Sequence, residues 1–193
     1  MDGPAGSRVL QVLPAAAAAV TELVEGVPPD RWAAPTPCEG WTVRTLVGHL
    51  AAEHLWAPRL LGGESMDDVG DAYDGDVLGE DPVAAWRSAI TASLLAWGDV
   101  RDPAGTVEVS VGPIPLAEYA AQMLVDLVVH GWDLAVATDQ PYTPAAEAVA
   151  EALAYEEPRV DAGGLEGLFA APVPTGSRAP LDRLVAMLGR APR

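Results

Sequence analysis

Residues 126–135 read DLVVHGWDLA and lie inside an apolar segment of the chain. Asp126 and His130 stand four apart, with Leu127, Val128 and Val129 between them. At 3.6 residues per turn, a helix over about 116–138 gathers Leu116, Ala120, Leu124, Leu127 and Leu134 into one apolar stripe. Tyr119, Met123, Asp126, His130, Asp133 and Ala137 form the stripe beside it. Asp126 and His130 therefore share a face, one turn apart, at the margin of a core. Their spacing brings two side chains to a common point. That point is either a hydrogen bond between them or an ion held by both.

Working outward, a second helix is predicted over about 43–61. Thr42 is its N-cap, Trp41 precedes the cap, and Leu46 falls where a hydrophobic staple closes. Val43, Val47 and Leu50 form its apolar stripe, and Leu46, His49, Glu53 and Trp56 run beside it. An Ala-rich helix at 8–25 carries Val9, Val12, Val20 and Leu23 on one face, and Pro14 marks a start or a kink. A third bundle helix is expected from about Val83 to Trp97, with Ala84, Ile90, Leu94 and Trp97 turned to the core. TVEVSVGPIP, 106–115, alternates as a short strand. Helices at about 144–156 and 180–188 complete the chain, with Gly189 as C-cap. The segment 62–82 holds eight acidic residues, five glycines and no basic residue. It reads as a mobile, solvated loop, able to act as a lid, and its spacing does not fit a calcium loop. The fold class is all-α: a four-helix bundle with a short extended segment and a helical C-terminal extension, read as a single domain over 1–193.

The bulk numbers narrow the function. The 193 residues are 50% hydrophobic, enough for one sizeable core. Net charge is −17, from 28 acidic and 11 basic residues, and every basic residue is arginine. Such a surface repels phosphate backbones and anionic lipid, so nucleic acid and membranes are poor partners. The lone Cys38 excludes an internal disulfide. The apolar run VLPAAAAAV is too short to span a bilayer and has no basic leader. The chain reads as soluble and cytoplasmic, with a homodimer left open.

Two ligands do not make a metal site, and His49 offers a third. If it faces the same cavity as Asp126 and His130, two imidazoles and one carboxylate hold a dication and leave a position open, the pattern of a catalytic rather than a structural metal. Glu53, one turn from His49, is the rival ligand, and His54 points to one side. The competing reading makes Asp126 and His130 a core hydrogen bond. Trp41 and Trp132 read as core or rim packing. Cys38 lies just before a helix N-terminus, a place that can lower a thiol pKa, but with no histidine nearby in sequence it reads as a packing residue. Asp133 either orients a ring nitrogen or caps and solvates. No nucleophile elbow is present.

APTPCEGWTVRTLVGHLAAEHLW, LVDLVVHGWDLAVATDQP and GLFAAPVPTGSRAPLDRLVAMLGRAPR together resemble actinobacterial proteins related to the N-terminal domain of mycothiol-dependent maleylpyruvate isomerase, within the DinB/YfiT-like superfamily. The resemblance implies a four-helix bundle holding a divalent metal, zinc or nickel. It also implies ligands from a histidine on the second helix and a pair four apart on the last bundle helix, at His49, Asp126 and His130 here. The isomerase resembles a Glu-x-x-x-His pattern, and Asp126 is one methylene shorter. No counterpart of the isomerase's separate C-terminal domain is expected. By the same resemblance the partner is a small-molecule substrate or a thiol of the mycothiol type, and the activity a thiol transfer or isomerisation. The alternative is a non-catalytic ligand-binding or dimerisation module in which Asp126 and His130 are structural.

Overall fold

The computed structural model describes residues 5–100, 104–161 and 169–192. In chain order it comprises α1 (Ala5–Glu25), α2 (Val43–Leu61), α3 (Met66–Val69), α4 (Pro82–Asp99), β1 (Thr106–Val109), β2 (Gly112–Pro115), α5 (Leu116–Thr138), α6 (Ala146–Asp161) and α7 (Pro180–Met187). Four helices make the bundle. α5 packs on α1 and α2, and α4 closes the ring by packing on the same two. Among the described residues the chain is mostly all-α, as the resemblance implies, with one two-stranded antiparallel sheet.

Periodic apolar positions build this ring. Leu13, Val20 and Val24 of α1 meet Leu46 and Leu50 of α2 and Leu124, Leu127 and Leu134 of α5 in one core, all at or near zero exposure. Each such side chain contributes about 1.5–3 kcal/mol by leaving water. Two polar ties cross the core. His54 Nδ1 lies 2.8 Å from Ser93 Oγ, joining α2 to α4, and Trp86 Nε1 donates to Thr21 Oγ1 at 3.0 Å, joining α4 to α1. α5 is long and apolar enough to cross a membrane by composition, but 72% of that window is buried inside the protein. Its hydrophobicity is spent on the core.

Several expectations change in detail. The N-terminal helix begins at Ala5, so Pro14 sits exposed inside α1 and neither starts nor ends it. In α4, Asp81 caps the first turn by accepting from Ala84 N at 3.0 Å, and Ala84 itself is exposed. Trp86 and Ala89 fill the core where Ala84 was expected. The extended stretch is two strands, paired from Thr106↔Pro115 to Val109↔Gly112 across a two-residue turn whose exit needs Gly112 at φ +102°. α6 starts two residues later than predicted and runs to Asp161. The acidic segment is more built than a solvated loop. Ser65 and Asp68 form a capping box on α3, Val69 and Leu78 are buried, and Arg44 reaches Asp76 at 2.6 Å. Arginines of α2 supply the countercharge that the segment's own composition lacks.

Candidate metal centre

The cap that starts α2 also sets the position of its histidine. Thr42 Oγ1 accepts from Thr45 N at 3.2 Å and fixes the helix phase. Val47 and Leu50 then enter the core, and His49 emerges on the neighbouring face, its side chain 29% exposed. On α5, Leu127 and Leu134 play the anchoring part, and Asp126 and His130 emerge toward α2. The two helices pack against each other, so the two polar stripes meet. His49 Nε2 lies 3.4 Å from Asp126 Oδ2, and His130 Nε2 lies 3.9 Å from Asp126 Oδ1. One donor atom from each of His49, Asp126 and His130 falls within 4.8 Å of the others. Ligand bonds of about 2.0–2.1 Å in a tetrahedral site place donor atoms about 3.3–3.4 Å apart. The observed set is therefore slightly open relative to that geometry and converges on one point.

Trp41 roofs the pair. Its ring centroid is 5.1 Å from that of His49 and 5.8 Å from that of His130, and the two imidazoles meet edge to face at 5.2 Å. The group opens into a cavity of about 950 Å³, walled by α2, α5, α6, the β1–β2 turn and the C-terminal segment, with Met66 of the acidic segment at its edge. Glu53 lines the same cavity but gives no donor atom to the convergent group. His54 is buried on the other side, against Ser93.

Electrostatics ties the members together. Burial by itself would lower the His49 pKa, but the Asp126 hydrogen bond and the charges of Asp126 and Glu53 outweigh it and raise it. Burial likewise pulls Asp126 up, and His49, His130 and His54 together bring it below the ordinary aspartate value. Glu53 is raised, first by burial and then by the Asp126 charge. Burial, first of all, holds His54 down at about 4, so its imidazole is neutral at pH 7.

Behind His130 stands a second arrangement. Asp133, fully buried, places Oδ2 2.9 Å from His130 Nδ1 and accepts from Arg190 Nη2 at 2.8 Å, while Oδ1 accepts from Arg190 Nε at 3.2 Å. The Cys38 thiol donates to the same Oδ2 at 3.2 Å. A carboxylate so placed makes Nδ1 the protonated nitrogen of His130 and leaves Nε2 free to ligate. Cys38 is no activated thiol: burial first, then the Asp133 charge, pushes it up to about 12, opposite to the effect expected of a helix N-terminus. Its position is more than packing, because it completes the shell around Asp133. Of the two roles open to Asp133, the structure gives the orienting one. Sequence reasoning missed Arg190. The nearest signal was Gly189, expected as the C-cap; Leu188 caps α7 and Gly189 follows it at φ +84°.

The model for the mycothiol maleylpyruvate isomerase N-terminal domain matches residues 13–135. The uncharacterized protein Rv0738 of Mycobacterium tuberculosis is 30% identical over 179 residues, covering 91% of this chain and 93% of its own. The uncharacterized protein Rv0036c of the same organism is 31% identical over 131 residues, covering 58% of this chain and 49% of its own. No solved structure matches the chain. With α2, α4, α1 from residue 13 on and nearly all of α5 inside the matched region, this chain belongs to the mycothiol maleylpyruvate isomerase N-terminal domain family.

Proposed function

We propose that the protein binds a divalent metal, zinc or nickel, through His49, Asp126 and His130, and uses it to act on a thiol of the mycothiol type as a transferase or isomerase. One observation carries the metal reading: three donor atoms from two helices converge within 4.8 Å at the wall of a large cavity. The donor chemistry fits a borderline dication, with two imidazoles and one carboxylate. A structural Asp126–His130 pair is the weaker reading, because 3.9 Å is beyond hydrogen-bond reach. The side chains of His49 and Asp126 are also 29% and 26% exposed, more than a core pair needs.

A bound dication would supply charge that deprotonates a coordinated thiol and keeps the thiolate as the competent nucleophile. The chain's own residues do the rest. Asp133 holds the His130 Nδ1 proton, so that Nε2 alone faces the cavity. Trp41 covers the imidazoles from one side and limits water there. Farther along the wall, Tyr119 Oη and Glu156 Oε2 are buried with no hydrogen-bond partner among the described residues. They offer a polar end to a small molecule whose reacting atom sits at the histidines.

Elemental analysis of the untagged, full chain tests this reading. We expect stoichiometric zinc or nickel in the native protein and its loss in His130→Ala and His49→Ala. Unchanged metal content in those variants, or no uptake by native protein offered excess zinc and nickel, removes the proposed site.

A further inference from the structure

Two groups of metal-ligating side chains meet at His130. One is His49, Asp126 and His130 through Nε2; the other is Cys38, Asp133 and His130 through Nδ1. On chemistry alone the second is attractive to a soft ion, since it offers sulfur. A guanidinium already stands in it. Arg190 Nη2 is 2.8 Å from Asp133 Oδ2 and 3.3 Å from Cys38 Sγ, Nε is 3.2 Å from Asp133 Oδ1, and Nη1 donates to Leu188 O at 2.8 Å. The planar fork thus contacts both the carboxylate and the sulfur that a cation would have to share.

Resting on the metal reading above, we propose that Arg190 is the positioning residue of the metal centre: as resident cation of the Cys38–Asp133 cluster it keeps metal out of that cluster and, through Asp133, turns Nε2 of His130 toward Asp126 and His49. The backbone is built to deliver it. Arg190 N donates to Val185 O at 2.9 Å and Gly189 N to Ala186 O at 3.1 Å, the two bonds of a Schellman stop on α7. Gly189 takes φ +84°, and a Cβ there would meet Ala170 O at 2.8 Å. The chain turns sharply at that glycine and the arginine points back into the bundle. The Phe169 ring, 5.5 Å from the guanidinium carbon, closes the outer side. Arg190 lies outside the matched region 13–135, so the C-terminal segment completes a centre whose ligands all come from the family domain.

The neutral variant Arg190→Gln keeps bulk and a donor but removes the charge. In it Asp133 becomes an uncompensated carboxylate, free to join Cys38 and His130 Nδ1 around an ion. Cobalt(II), titrated into the metal-stripped full chain, reads both parts of the proposal. Wild-type protein should give the visible bands of nitrogen and oxygen ligation and no thiolate-to-cobalt charge-transfer band. Arg190→Gln should bind cobalt about 10–100-fold more weakly at the original site and gain the charge-transfer band, which the double variant with Cys38→Ser lacks. Arg190→Lys, which restores a positive charge, should return the wild-type spectrum, and because it preserves the ion pair it also serves if the glutamine variant does not fold. Wild-type affinity and spectrum in Arg190→Gln overturn the proposal, as does a thiolate band in the wild-type protein or in Arg190→Lys. A wild-type protein that binds no cobalt at all defeats the underlying metal reading and this inference with it, a result distinct from the others.

Discussion

Replacing Asp133 with alanine measures how firmly the centre is held. The carboxylate is fully buried and takes three charge-assisted contacts, from His130 Nδ1 at 2.9 Å and from Arg190 at 2.8 and 3.2 Å, besides the Cys38 thiol. At about 1.5–3 kcal/mol for each bond to a charged group, a simple total overstates the case, because the desolvation of two ions offsets much of it. The better guide is the cost of stranding one member of a buried pair, about 3–5 kcal/mol. Arg190 is only 9% exposed, so its charge would indeed be stranded. In a chain of this size each kcal/mol moves the melting temperature by about 2–4 °C, which gives a fall of about 6–20 °C. Urea unfolding followed by circular dichroism, with the m-value checked for constancy, reads the same quantity. Arg190→Ala should cost a similar amount. The double variant should cost clearly less than the sum of the two single ones, with a coupling energy toward the upper end of about 0.5–3 kcal/mol. A loss below about 1 kcal/mol for Asp133→Ala, or strict additivity in the double variant, would refute the view that these residues act as one buried unit.

Two further predictions concern residues away from the ligands. His54 has its pKa depressed to about 4 by burial, so the unfolded chain takes up its proton first, near 6.5. Its contribution is therefore complete above pH 6.5 and is lost as pH falls toward 4. At about 1.36 kcal/mol per unit that amounts to about 3 kcal/mol. Stability of wild type and His54→Gln compared by urea midpoint at pH 7 and pH 4.5 should show the steeper acid loss in the wild type, and parallel losses would contradict the assignment. Gly189→Ala should destabilise the protein by about 1–3 kcal/mol, through positive φ and the Ala170 backbone contact. It should also weaken metal binding by displacing Arg190. A Gly189→Ala protein with wild-type melting temperature and metal affinity would show that the turn does not deliver the arginine.

How much of this the sequence discloses follows from the range of the forces involved. α2 and α5 are legible to the residue, because a Thr42 cap and an unbroken apolar stripe are local signals. The side-by-side stripes of α5 also put Asp126, His130 and Asp133 on one face, although Asp133 is fully buried rather than at its margin. Whether His49 faces them is a tertiary fact, decided by which helices neighbour each other, and helical phase alone leaves it open. Arg190 and Cys38 reach Asp133 across 57 and 95 positions of chain, and no periodicity encodes such a meeting. The acidic segment misleads for a related reason. Its composition speaks for solvation, while its buried Val69 and Leu78 and its arginine partners on α2 speak for order. In α4 the apolar stripe of Ile90 and Trp97 runs through Trp86, whereas Ala84 falls about 160° from Trp86 around the helix and is exposed.

The arrangement separates what holds the bundle from what faces the cavity. Val43, Val47 and Leu50 of α2, with Leu124, Leu127 and Leu134 of α5, carry the packing and are fully buried. The polar stripe lies beside that seam, so the three convergent donors add little to the core and are free to answer to chemistry instead. Histidine and aspartate can be carried there because each has a charge partner. His49 and Asp126 have each other, and His130 has Asp133, whose own charge is met by Arg190. Without the arginine, the buried Asp133 behind His130 would carry a costly, poorly compensated charge and attract a cation. With it, that anionic site is filled from within the chain, and the more open trio on the cavity side is the group left to the ion of the proposed reading.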